Sequence, residues 1–432
     1  MNLIHTIFFL ICLFFFFKTL FKDFRRGVLI GLTFTTFSLT SFPLFVLNMN
    51  GLAASFQLLF LFLAFVYFLF KKNKAGFIKY LLNKYNLFLY FFIILLTFYL
   101  FFSGTQSYGI YKITFFILKS IGPIIAYTMF APLKKYDIKV IITTVIIGSI
   151  LTVMNIYSYA DITSSLRVTV SANPITVART IGLGCILLSV LLLTEKLRLP
   201  MKILYLLLIP IFMHTMLLTG SRGPIIAVLI SVIGVILLLG GFWQRLKYST
   251  KLISSTVIIF LFMLVTNFNI QEINGYQRVM SNIMAIGENT SDQGRIERMQ
   301  IALNGILESD YFGVGTGGFA DLYSTSARAY PHNIFLEVFV ELGIIGLILL
   351  LALMTITIFR VKKLSLNVDI SIIAKAFGGA WFFSFIIAMV SGDISTNQYF
   401  WVTGGLIWLL PCPIEEPVKV KKIKEHSCKE EI

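Results

Sequence analysis

The stretch "LLTGSRGPIIAVLI" (217–230) places one arginine, Arg222, between two glycines and a proline in an otherwise apolar run. Gly220, Gly223 and Pro224 interrupt a helix there, so one helix ends near Thr219 and the next opens with proline in its first turn. Free amides at a new helix N-terminus, beside a permanently charged and forked guanidinium, make a phosphate or pyrophosphate site. An arginine snorkelling to lipid headgroups would occupy the same position.

A second stretch, "PHNIFLEVFVELGIIGL" (331–347), opens a helix with His332 and Asn333. A histidine at a wet helix end titrates near the working range, and serves as proton acceptor for a hydroxyl or as donor to a phosphate. Glu337 and Glu341 follow, one helical turn apart, with two carboxylates on one face inside the membrane. Gly343 and Gly346 read as a packing surface for a neighbouring helix. Lys119, Arg179 and Lys375 are further basic residues in apolar surroundings; for them an internal ion pair with Glu337, Glu341 or Asp393 competes with ligand binding.

These groups must be positioned by membrane helices. The chain has 432 residues, 57% of them hydrophobic and only 13% charged, with a mean hydropathy of +0.88, outside the soluble globular range. Long apolar runs, and no short alternating strands, predict an all-α polytopic transmembrane bundle of about 12–13 spans. The candidates are 3–18, 27–47, 53–70, 87–103, 113–132, 140–157, 177–194, 203–219, 224–242, 252–268, 334–359, 372–391 and 397–411. The first lacks a basic leader and a small-residue cleavage site, so it reads as a retained helix.

The net charge of +16 reflects topology and not a nucleic-acid partner. Most Lys and Arg fall in segments 18–26, 71–85, 134–139, 196–202, 245–251, 360–363 and 419–429, each following an odd-numbered span. The positive-inside rule makes these segments cytoplasmic, which puts the N-terminus and the motifs above outside. Two outer segments are long, 158–176 and 269–333, and the second is where binding is expected. Within it, "GRIERMQIALNGILESDYFGVGTGGF" (294–319) spaces Ile296, Met299, Leu303, Ile306 and Leu307 as an amphipathic helix, lying on the bundle or at the outer interface. Arg295 and Arg298 fall near its first turn. Gly313, Gly315, Gly317 and Gly318 form a loop; with no preceding strand they do not make a dinucleotide-binding turn. Cys12, Cys185, Cys412 and Cys428, with four scattered histidines, suggest neither a disulfide framework nor a metal site.

In the order of these pieces, "TGSRG" (219–223), "GRIERMQIAL" before "YFGVGTGGF", and "HN" spaced nine residues from "GIIG", the chain resembles the O-antigen ligase and Wzy-type polysaccharide polymerase superfamily over roughly 175–350. Met299 stands where relatives often carry an aromatic, and relatives mostly show about twelve spans with a cytoplasmic N-terminus. The resemblance implies a GT-C-like membrane glycosyltransferase, working without cofactor or metal at the outer face of a bacterial cytoplasmic membrane. Its donor would be an undecaprenyl-pyrophosphate-linked oligosaccharide, and its pathway partners a chain-length regulator and a flippase. By motif, Arg222, Arg295 and His332 are the catalytic candidates. Arg179, Lys119, Arg298, Asn333 and Glu337 are the substrate-binding candidates.

The expected organisation is N-terminal helices over 1–176, a ligase- or polymerase-like region over 177–411, and a basic cytoplasmic tail over 412–432. A polymerase joining repeat units into O-antigen or capsule is the expected activity. Ligation to lipid A core and protein O-glycosylation share the donor chemistry. A lipid-linked oligosaccharide flippase is the reading from another class, and its binding charges belong near the midplane, not at the outer face.

Overall fold

The computed structural model describes residues 3–38, 50–71, 74, 76–104, 106–159, 173–194, 197–238, 250, 290–323, 329–367 and 370–411. The expected span 252–268 and the basic tail lie outside these residues. Every described element is helical or a turn. In chain order the helices are α1 (Leu3–Lys22), α2 (Phe24–Phe37), α3 (Asn50–Phe70), α4 (Phe77–Leu81), α5 (Lys84–Tyr99) and α6 (Gln106–Phe116). A π turn at Ile117–Ile121 carries α6 into α7 (Gly122–Met129), followed by α8 (Lys135–Tyr159), α9 (Pro174–Thr194), α10 (Leu199–Leu218) and α11 (Arg222–Leu238). Last come α12 (Thr290–Glu308), α13 (Phe319–Tyr323), α14 (Ile334–Ser365), α15 (Ser371–Ala388) and α16 (Gln398–Leu409).

Among the described residues, seven segments are long and apolar enough to cross a membrane by length and composition, and Ser55–Phe70 and Arg222–Leu237 are shorter apolar helices. The protein is a multi-pass all-α membrane bundle. At its centre runs α9, buried from Val177 to Leu193 and packed against α8, α10, α11 and α15. Buried hydroxyls join the helices where hydrocarbon offers no water: Ser149 on α8 donates to the Thr180 carbonyl of α9 at 2.9 Å. At one end of the bundle, basic side chains hold helix ends. Arg25 pairs with Asp137 at 2.6 Å, Lys71 donates to the carbonyls of Met129 and Ala131, and Arg360 to that of Leu410. The motif residues lie at the other end.

Two expectations change here. Gly343 is not part of a smooth packing surface; at φ 62°, ψ −163° it breaks α14, in a region that is essentially glycine-only. A Cβ there would stand 2.3 Å from the Phe312 carbonyl oxygen. The break is filled by backbone from the glycine-rich loop. Ile344 N donates to Tyr311 O at 2.9 Å, while Val314 N takes Val340 O at 2.8 Å and Gly315 N takes Glu341 O at 3.0 Å. Thr316 then caps α5, its N–H donating to Tyr99 O and its hydroxyl to Leu96 O. Irregular backbone survives at membrane depth only when protein satisfies it in this way. Gly343→Ala is accordingly expected to cost at least about 1–3 kcal/mol of backbone strain, before the clash is counted. Thermal unfolding in detergent should register a lower midpoint, and an unchanged midpoint would show that the break is not strained.

The second change concerns α12. Its apolar residues do not share one buried face: Ile306 packs inward with Ala302, whereas Ile296, Leu303 and Leu307 are exposed. The spacing was compatible with one stripe, but the inward face is set by Ala302 and Gly305, small residues that the hydrophobic pattern underweights.

Candidate active site

The break between α10 and α11 forms as the sequence indicates. α10 ends at Leu218 with Thr219 as its cap, Gly220 takes φ 63°, and α11 opens at Arg222. The Arg222 guanidinium, mostly buried, is ion-paired with Asp292 in the first turn of α12. Three residues on is Arg295, whose guanidinium is disfavoured by burial and by the neighbouring charges of Arg222 and Arg298, Asp292 offsetting them in part. It stays charged, because an arginine does not deprotonate in a protein. Such repulsion between fixed cations is relieved by an anion.

Arg298 faces the beginning of α14. Its Nη1 lies 3.1 Å from His332 Nε2, and its guanidinium sits over the Tyr323 ring, 4.8 Å from the centroid. A guanidinium only donates, so Nε2 accepts and the imidazole is neutral with its proton on Nδ1. Burial, then the charges of Arg298, Arg295 and Arg179, push the His332 pKa down to about 4. Tyr330 meets the same ring edge-on, with centroids 4.5 Å apart. His332 itself sits at φ 60°, uncommon for a side chain with a Cβ and typical of sites where function holds a residue in place. Asn333 caps α14, its side-chain oxygen accepting from the amides of Phe335 (3.0 Å) and Leu336 (3.2 Å). The pattern "HN" therefore divides its labour: the asparagine fixes where the helix starts and the histidine is left at the site.

Arg179 comes from the first turns of α9. Its Nη2 donates to Ser391 O at 2.7 Å and its Nη1 to Thr396 O at 3.3 Å, both carbonyls of the turn between α15 and α16. Gly392, at φ 80°, permits this approach, since a Cβ there would stand 2.8 Å from Nη2. The Nε of Arg179 is buried with no hydrogen-bond partner.

Behind this cluster lies a second, fully buried network. Lys112 on α6 reaches Glu337 at 2.7 Å and Glu341 at 2.5 Å. Glu337 also accepts from Ile394 N at 3.2 Å, and Tyr108 donates to Asp393 at 3.0 Å. Asp393 in turn is held by Ser395 and by the amide of Thr396, both at 2.8 Å.

The structure thus brings Arg179, Arg222, Arg295, Arg298 and His332 to one end of the bundle. Glu337, expected among the substrate contacts, is instead committed to Lys112 and the 391–397 turn with no exposed surface. Lys119 is not brought to the cluster; it lies on the π turn, about 10 Å deeper along the helix than Lys112, over the Phe115 ring. Glu337 and Glu341, named as possible partners of those lysines and arginine, are paired with Lys112. Tyr330, Asp292 and the carbonyls of Ser391 and Thr396 carry no motif of their own, although "VSGDISTNQYF" (390–400) signals a polar turn between two apolar helices.

Fold and site define a polytopic helical membrane protein with a cationic site, built around a neutral histidine, at one end of its bundle. Residues 206–351 match the family model described as O-antigen ligase, and that stretch lies within a multi-pass all-α membrane protein. The matched region takes in Arg222, Arg295, Arg298 and His332, and leaves Arg179, Lys112 and the 391–397 turn outside it. No curated protein matches the chain.

Proposed function

We propose that this protein is a polyprenyl-pyrophosphate-dependent glycosyltransferase. In this reading it joins lipid-linked oligosaccharide repeats into a surface polysaccharide at the outer face of the cytoplasmic membrane. The observation that carries it is the convergence of three arginines, Arg298, Arg295 and Arg179, on one neutral histidine, with Arg222 beside Arg295. Lysines and arginines gathered at the opposite end support an outward-facing site.

In the reaction, the acceptor hydroxyl oxygen bonds to the anomeric carbon of the donor glycan. The bond from that carbon to the phosphate oxygen breaks, and the electron pair leaves with the lipid pyrophosphate. Arg222 and Arg295 would neutralise the charge developing on the leaving group, an electrostatic role worth about 10²–10³-fold in rate for one donor. His332 Nε2 would take the hydroxyl proton once Arg298 turns from it to the bound phosphate. Arg179, locked by two carbonyls, would supply fixed charge beside it.

Arg222→Ala, Arg295→Ala and His332→Ala are each expected to leave protein in the membrane, while long-chain glycan is lost and single repeats still reach the surface. Repeats retained on the cytoplasmic side would instead indicate a flippase. Ligation to a lipid A core is the second reading, favoured by the family description matched at 206–351. Purified protein given lipid-linked repeats alone should build longer lipid-linked chains if it polymerises; an absolute requirement for another acceptor would mark a ligase.

A further inference from the structure

Around its axis α12 divides into three sectors. Ala302, Gly305 and Ile306 face the bundle, and Gln293, Gln300 and Asn304 are exposed and polar. Ile296, Leu303 and Leu307 form a third sector, 46%, 51% and 59% exposed. At about 100° per residue those three fall within roughly 40° of one another, between the other two sectors. A helix resting on protein with one solvated face needs only two sectors. An additional narrow apolar strip, flanked by protein on one side and polar residues on the other, is the pattern of a helix lying at a membrane surface.

What covers the strip follows from where it leads. Past Leu307 the chain turns through Asp310 and Tyr311, both with positive φ, and presents Phe312, 69% exposed. The backbone there abuts the break in α14, with Tyr311 O accepting from Ile344 N at 2.9 Å. Ile344, Ile345 and Ile348, beyond the break, are exposed along a membrane-crossing helix, which is a lipid-facing surface. The apolar strip of α12 therefore continues the lipid belt of the bundle.

We propose that α12 is an interfacial helix whose Ile296, Leu303 and Leu307 strip is covered by acyl chains of the adjacent leaflet, anchoring the site end of the protein in the bilayer surface. Arg295 and Arg298, on the inward side of the same helix, then stand at headgroup depth. Given the donor proposed above, the pyrophosphate reaches them while its polyprenyl chain remains in the bilayer. The placement of the helix does not depend on that donor.

The test reads depth and not activity. Nitroxides would be attached one at a time at Ile296→Cys, Leu303→Cys, Gln300→Cys and Asn304→Cys, in a chain with its four native cysteines changed to serine, in phosphatidylethanolamine and phosphatidylglycerol vesicles. Oxygen should quench positions 296 and 303 more than a water-soluble nickel chelate does, with the order reversed at 300 and 304. Because removing the cysteines can itself disturb folding, benzoylphenylalanine at 303 or 307 in the otherwise native chain supplies a second reading, expected to add the mass of one phospholipid. Nickel access at every position overturns the proposal in favour of a water-exposed face. Protection from both quenchers at 296 and 303, or crosslinks to protein, overturns it in favour of a second copy or another segment of this chain.

Discussion

Lys112→Met is expected to remove a large share of the protein's stability. Lys112 is fully buried between Glu337 and Glu341, so its loss leaves two carboxylates in a dry interior without a cation. Breaking one partner of a buried ion pair costs about 3–5 kcal/mol, a large share of the roughly 5–15 kcal/mol that holds a typical fold. The measurement is the thermal midpoint of detergent-solubilised protein. The rescue separates charge from shape: Glu337→Gln and Glu341→Gln added to Lys112→Met should recover a good part of the loss, since neutral amides tolerate burial far better. Wild-type stability in the single variant would show that the carboxylates are already neutral and the ammonium dispensable.

The other large effect concerns pH. In the free protein His332 is held neutral down to about 4 by burial and by Arg298, Arg295 and Arg179, with Asp393 opposing them. On the proposed function, a bound pyrophosphate would cancel the arginine charge and draw Arg298 away from Nε2, so the imidazole would become more basic in the complex. The acid limb of kcat/KM for the donor, which reports the free enzyme, should therefore fall at lower pH than the acid limb of kcat, which reports the complex. Arg298→Gln should narrow that gap by raising the kcat/KM limb toward the ordinary histidine value of 6.5. Coincident limbs in the native protein would sink the mechanism. The linkage to stability has a definite sign. A depressed folded-state pKa means that the His332 contribution is present above pH 6.5 and is lost as pH falls toward about 4, because the unfolded chain takes up the proton first.

The helical bundle was legible because a membrane imposes long apolar runs and sorts charge between loops; most expected spans coincide with described helices. The turn at Arg222 was legible for a local reason, glycine and proline being unable to continue a helix. The buried network was not. Lys112 pairs with residues 225 and 229 positions away, and nothing in its neighbourhood distinguishes it from Lys119. The anchoring of Arg179 by backbone carbonyls was equally hidden, since a carbonyl acceptor carries no side-chain signature. Gly343 misled because "GIIG" reads as small-residue packing, whereas its positive φ exists only once the distant loop has docked.

That docking divides α14 mechanically. Beyond Gly343 the helix is a shaft standing in lipid; before it, Ile334 to Leu342 form a short head with His332 at its tip and Glu337 and Glu341 on its flank. Head and shaft no longer share an unbroken ladder of hydrogen bonds. The loop running from the end of α12 fastens to the head through Val340 and Glu341, and to the shaft only through Ile344. The arginine helix and the histidine are therefore coupled more directly to each other than either is to the membrane-crossing shaft. A small rocking of α12 on meeting an anion would carry the histidine with it while the shaft stays still, so that Arg295, Arg298 and His332 keep their register as one moving part.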